Sequence, residues 1–170
     1  MALTAAVSRS PGPAVAAAAI AYAPEHPLLQ HAREQVHTLN LPYSGNVTPA
    51  AAWELMEQQA AVLVDVRTAE ERKFVGYVPG SLHLPWLIGT AMQTNPRFVR
   101  ELEAKMPKNA VVLLLCRSGA RSVAAATAAK RAGFQHVYNI LEGFEGEIDQ
   151  DGHRGSRNGW RFRGLHWVQD

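Results

Sequence analysis

Apolar residues fall along this chain in short continuous runs separated by longer amphipathic stretches. Residues 61–66 (AVLVDV), up to Asp65 near the end, and 110–115 (AVVLLL) are short apolar runs, the pattern of strands buried on both faces. His136–Ile140 reads as another short strand, and residues 81–84 as an extended segment closed by Pro85. Between these runs lie helix signals. Thr48-Pro49 supplies an N-cap and first-turn proline for a helix through about Gln59. Thr68, with Glu71 three residues later, reads as a capping box for a helix over 68–74. Asn95-Pro96 opens a helix to about Lys105, and Pro107-Lys108-Asn109 breaks it. The Ala-rich stretch 122–131 is helical and ends at Gly133. Strands alternating with helices predict an α/β domain built on a mostly parallel sheet.

The pattern changes before residue 47. Leu28, Leu29, Ala32, Val36 and Leu39 recur at helical spacing, which predicts a helix over 25–40. Residues 1 to about 24 are Ala/Pro-rich and of low complexity. Residues 14–23 are apolar and follow Arg9, and Ala21-Tyr22-Ala23 faintly resembles a cleavage site, but one arginine is a poor positive region and Pro24 follows at once. The segment reads as a disordered leader or weak helix. Residues 1–46 are therefore expected to form an N-terminal extension, partly disordered with a helix at 25–40. Residues 47–170 then form the domain with its C-terminal tail.

Composition narrows the function classes. Hydrophobic residues make up 47% and charged residues 19%, an ordinary globular balance. A net charge of +2 is too weak a bias to argue for nucleic acid, and no run is long enough to span a membrane. Arg154, Arg157, Arg161 and Arg163 read as a solvated tail. The seven histidines show no metal-ligand spacing, and no Ser/His/Asp set is indicated. No metal and no cofactor are expected. There is one cysteine, Cys116, so the chain has neither an internal disulfide nor a resolving thiol. Any transfer cycle at that thiol needs a second molecule, and a lone thiolate is most at home in a reducing cytoplasm.

Position decides what Cys116 does. It ends the clearest strand and is followed by Arg117-Ser118-Gly119-Ala120-Arg121-Ser122, then a helix. Ligands of open parallel sheets bind at strand carboxyl ends. Gly119 lets the loop curl so that successive amides converge on one point, and the helix adds the positive end of its dipole. Arg117 and Arg121 add two permanent charges. Such a field favours a nucleophilic thiolate, and would equally suit an anionic persulfide, thiosulfate or sulfite.

The loop Cys116–Ser122 resembles the active-site loop of single-domain rhodaneses. Asp65-Val66-Arg67, Gly76, Pro79-Gly80-Ser81 and Leu84-Pro85 are similar to that family's upstream signature, and Gly159-Trp160 and Gly164-Leu165 to its C-terminal segment. The resemblance covers roughly residues 47–167. It implies a rhodanese fold, a five-stranded parallel sheet flanked by helices on both faces. It also implies thiosulfate-type sulfurtransfer, in which Cys116 takes sulfur from a small-molecule donor and the persulfide yields it to a thiophilic acceptor such as cyanide. By this resemblance Cys116 is the nucleophile, the amides of residues 117–122 cradle the charge, and Arg117 and Arg121 bind the donor. Two positions depart from the pattern: Tyr77 follows Gly76 where the family often has His, and His83 stands for its usual Asn. The stretch 142–158 is also longer and more polar than a minimal domain needs.

Three other readings compete. Phosphatases and arsenate reductases on this kind of scaffold need a larger loop, with the arginine one position farther from the cysteine than Arg121. A regulatory module often lacks the cysteine. A persulfide relay to an acceptor protein uses the same loop. Asp65 and Arg67 are expected to support the site as an ion pair, and Arg72 and Lys73 to lie on a solvated helix face. Trp86 is placed at the core or the rim of the entrance, and Trp53, Trp160 and Trp167 in packing.

Overall fold

A computed structural model describes residues 23–170. The expectations for a mobile or cleaved leader lie outside the described residues. The elements in chain order are α1 (Pro27–Leu39), β1 (Asn46–Val47), α2 (Pro49–Glu57), β2 (Val62–Asp65), α3 (Ala69–Val75) and β3 (Leu82–His83). They continue as β4 (Leu87–Ile88), β5 (Gln93–Thr94), α4 (Phe98–Lys105), β6 (Val111–Leu115), α5 (Ala120–Arg131) and β7 (His136–Ile140). Five strands form one parallel sheet in the order β1-β7-β6-β2-β3. β4 and β5 make a separate antiparallel pair. No helix among the described residues is long and apolar enough to cross a membrane.

The sheet is central because β6 is buried throughout. Its side chains alternate between two cores. Val111, Leu113 and Leu115 face one core with Leu29 and Ala32 of α1 and Ala52 and Leu55 of α2. Val112, Leu114 and Cys116 face the other, with Phe98 and Leu102 of α4 and Ala125, Ala126 and Ala129 of α5. Helices therefore cover both faces, as parallel strands require. Leu29 and Ala32 are fully buried, so α1 packs as part of this core, and β1 at the sheet edge begins at Asn46.

Three local expectations change. The fourth helix starts at Phe98, not at Pro96, because Asn95 is used elsewhere. Its Oδ1 accepts the Arg97 amide at 3.0 Å, and its Nδ2 donates to the Pro85 carbonyl at 3.0 Å, tying the helix entry to the turn after β3. The helix after the loop starts at Ala120, so Ala120, Arg121 and Ser122 form its first turn. The C-terminal arginines are not a free tail. Arg163 pairs with Glu142 at 2.6 and 3.0 Å, and Arg154 donates to the Gly146 carbonyl at 2.7 Å. Trp160 behind them is fully buried against Trp53, edge to face at 6.1 Å. Past it the chain crosses back to bridge Val168 with Tyr77.

Candidate active site at the carboxyl end of the sheet

Cys116 leaves the carboxyl end of β6, between β2 and β7, and is only 1% exposed. The reversal into α5 turns on Gly119, whose φ of +101° only glycine adopts without strain. That conformation aims the Gly119 amide back at the sulfur, 3.0 Å from Sγ, while α5 starts at the next residue. The thiol therefore sits at the positive end of a 12-residue helix. Ser122, fully buried one turn later, brings its hydroxyl to 3.2 Å from Sγ. Ser118 lies half-buried in the loop, and Ala120 is exposed.

The loop is clamped from behind. Phe144 donates its amide to the Cys116 carbonyl at 2.8 Å, and Glu145 and Gly146 donate to the Arg117 carbonyl at 2.9 and 3.2 Å. Gly143 makes this approach possible. A Cβ there would lie 2.5 Å from the Arg117 carbonyl carbon and from the Ser118 nitrogen, both backbone atoms that cannot yield. The polar stretch after β7 thus serves as the wall that fixes the Cys116 loop.

The two arginines expected to bind an anion sit in different surroundings. Arg121 is clasped by Glu71 of α3 through two bonds of 2.6 and 2.7 Å, with side chains 14% and 18% exposed. Glu71 also closes the capping box of α3, accepting the Thr68 amide at 3.0 Å. Burial pushes the Glu71 carboxyl up, but the Arg121 and Thr68 hydrogen bonds and the charges of Arg121 and Arg67 outweigh it, leaving the carboxyl below its usual value. Arg121 is raised in turn, chiefly by its bonds to Glu71. The Arg117 side chain is exposed and makes no hydrogen bond or ion pair among the described residues. It is the loop cation that remains available.

Asp65 and Arg67 form the expected pair, and both are fully buried. Arg67 Nε and Nη2 reach Asp65 at 2.9 and 2.7 Å, and Nη2 also donates to the Gly76 carbonyl at 2.8 Å. The guanidinium lies 4.0 Å from the centroid of the Phe144 ring. This pair welds the end of β2 to the wall that clamps the loop. Arg72 does not lie on a solvated face. It is 15% exposed and spans Asp65 Oδ2 and Ser81 Oγ at 3.0 Å each, a third member of the network. Lys73 is exposed, as expected of a solvated face. His83 donates from Nε2 to the Arg67 carbonyl at 2.8 Å. Trp86 packs edge to face on Phe98, beside the α4 core.

Reading the sequence alone misses two groups. Glu71 carries a signal only as a cap, which leaves its grip on Arg121 invisible. Asn139 is a polar residue in an otherwise buried strand, and it reaches Ser122 Oγ at 2.6 Å. A cavity of about 430 Å³ opens beside the loop, lined by Tyr43, Asn46, Ser118, Gly119, Asn139 and Glu142 among others. Among the described residues, no cluster of His, Cys, Asp and Glu could hold a metal ion.

The Rhodanese-like domain family matches residues 48–147, and the chain belongs to that family. An uncharacterized protein of Rickettsia rickettsii, the RP600 homolog, is 35% identical over 129 residues, covering 72% of this chain and 95% of its own. The thiosulfate sulfurtransferase GlpE of Actinobacillus succinogenes is 30% identical over 100 residues, covering 59% of this chain and 80% of its own. The crystal structure of Rv0390 from M. tuberculosis superposes with a TM-score of 0.68 at 42% identity, covering 75% of this chain and 99% of that one.

Proposed function

We propose that this protein is a sulfurtransferase that carries sulfane sulfur as a persulfide on Cys116. The observation that carries the reading is the placement of Sγ, buried at a helix N-terminus and accepting the Gly119 amide. The Cys116 thiolate attacks the outer sulfur of a donor of the thiosulfate class. A new S–S bond forms, the donor's S–S bond breaks, and its electron pair leaves with sulfite. A thiophilic acceptor such as cyanide then attacks the outer persulfide sulfur and departs as thiocyanate, returning Cys116 to the thiolate. The amides of residues 117–122 bear the charge of the anionic states, and the Gly119 amide and the Ser122 hydroxyl are the groups hydrogen-bonded to the sulfur. Arg117 meets the incoming donor. Arg121 holds the loop to α3 through Glu71 and lends its positive field. Asp65 and Arg67 support the strand end.

Because Cys116 is the only cysteine, its sulfur leaves to another molecule. That molecule is a small thiophile or a thiol of an acceptor protein, and a reducing cytoplasm suits the cycle. A phosphatase reading is disfavoured, because the guanidinium that would clamp phosphate oxygens is already taken by Glu71. The test is Cys116→Ser, which keeps the fold and abolishes thiosulfate:cyanide sulfurtransfer. Turnover persisting in that variant would overturn the assignment.

A further inference from the structure

A chain of hydrogen bonds runs from the cavity beside the loop to the sulfur. Tyr43 Oη lies 3.0 Å from Asn46 Oδ1. Asn139 Nδ2 lies 3.1 Å from the same oxygen, and Asn139 Oδ1 lies 2.6 Å from Ser122 Oγ. Ser122 Oγ in turn lies 3.2 Å from Cys116 Sγ. The sheet builds the chain. Asn46 and Asn139 are register partners across the β1–β7 pair, so their side chains leave the same face. Cys116 and Val137 lie on that face, which α5 covers, and Ser122 is the α5 residue above them. Tyr43 and Asn139 are 4% and 3% exposed, so these polar groups depend on one another for partners.

The Ser122 hydroxyl has one hydrogen and three acceptors within reach: Cys116 Sγ, the Gly119 carbonyl at 3.0 Å and Asn139 Oδ1. While it donates to Asn139, only its lone pairs face the sulfur. That suits a neutral thiol, whose own S–H donates to Ser122. It leaves an anionic sulfur without this donor. The two amides offer a second arrangement with the same heavy-atom positions. If both are reversed, Asn46 Nδ2 donates to Asn139 Oδ1 and to Tyr43 Oη. Asn139 Nδ2 then donates to Ser122 Oγ, and the hydroxyl hydrogen is free to turn to the sulfur. Every contact of the chain is kept in both arrangements, and in the second the Tyr43 hydrogen turns toward the cavity it lines.

We propose that Asn139 and Asn46 are positioning residues that switch the direction of the Ser122 hydroxyl. In one state it points away from a neutral Cys116 thiol, and in the other toward the thiolate or persulfide. The charged groups facing this end of the sheet are Arg117 on the loop, Arg121 of α5 clasped by Glu71 of α3, the Asp65–Arg67 pair after β2 with Arg72 of α3, and Glu142 and Glu147 after β7. None of their side chains hydrogen-bonds to Ser122, Asn139 or Asn46 among the described residues. The relay therefore acts on the sulfur separately from them. The inference deepens the sulfur-carrier reading of Cys116, but its test needs only the thiol.

Because the chain has one cysteine, alkylation by iodoacetamide reports Cys116 alone. Asn46→Asp places an acceptor-only carboxylate at 46, which fixes Asn139 Nδ2 toward it and Oδ1 toward Ser122. The pH profile of alkylation should move to higher pH by about one to two units, the loss of one hydrogen bond to a charged group. The same substitution in a Ser122→Ala background should move the profile far less. Equal movement in both backgrounds would mean a plain charge effect and would overturn the relay, as would no movement in either. Asn139→Leu removes the competing acceptor and should move the profile the other way. A shift in the same direction as Asn46→Asp, the signature of simple loosening, would also overturn it. If Asn139→Leu does not fold, the Asn46→Asp pair of backgrounds still decides. Absence of sulfurtransfer in the wild-type protein, with the alkylation shifts as stated, would fail the sulfur-carrier reading and leave the relay standing.

Discussion

Glu71→Gln isolates the clasp on Arg121. Gln keeps an oxygen for the Thr68 amide, so the capping box of α3 survives. It removes the charge and one of the two bonds to Arg121, at 2.6 and 2.7 Å. The pair is largely but not fully buried, with side chains 14% and 18% exposed, so water screens part of the Coulomb term. Losing one charge-assisted bond at such a site destabilises the fold by about 1–2 kcal/mol. For a domain of this size that lowers the melting temperature by about 2–8 °C. The pH dependence follows from the depressed Glu71 carboxyl. Its contribution is fully present above the unfolded carboxyl value of about 4.3 and is lost as pH falls through the lower folded value. Urea unfolding of both proteins at a series of pH values measures this directly. The gap in stability should be full at pH 7 and close as acid protonates Glu71. The freed guanidinium should at the same time lower KM for an anionic donor. A gap that stays constant with pH, or a variant as stable as the wild type at pH 7, would refute the reasoning.

Other substitutions test other parts of the site. Gly143→Ala forces a Cβ to 2.5 Å from the backbone of residues 117 and 118 at a φ of +66°. It should lower the melting temperature and cut sulfurtransfer together, because the loop must move. Calorimetry and steady-state kinetics on the one variant check both. Asp65→Asn leaves the fully buried Arg67 without its counter-charge and should cost about 3–5 kcal/mol in urea unfolding at unchanged m-value. Arg117→Ala removes an exposed side chain with no partner among the described residues. It should raise KM for thiosulfate several-fold while leaving the unfolding midpoint in place.

The sequence makes the sheet legible because β2, β6 and β7 are buried and their apolar runs have no competing pattern. The Thr68 capping box and the Gly133 helix end are equally plain, since each rests on contacts within a few residues. Cys116, Gly119 and the strand-loop-helix around them are readable for the same reason. What escapes is long-range. Glu71 and Arg121 are 50 residues apart, and nothing local in either says that they meet. Asn95 carries the signal of a helix cap but is bound to a carbonyl ten residues away, which moves the start of α4. The arginines near the C-terminus look like a tail because the groups that hold two of them, the Gly146 carbonyl and Glu142, lie 8 and 21 residues earlier in the chain. Asn139 is the instructive case. A polar residue in a buried strand signals that it has a partner, but only the fold shows that the partners are Ser122 and Asn46.

The central claim is that Cys116 carries sulfur, and intact-protein mass spectrometry after incubation with thiosulfate tests it most directly. The protein should gain the mass of one sulfur, located to Cys116 by peptide mapping, and lose it again on addition of cyanide with release of thiocyanate. No mass gain, or a gain that cyanide does not remove, would contradict the account.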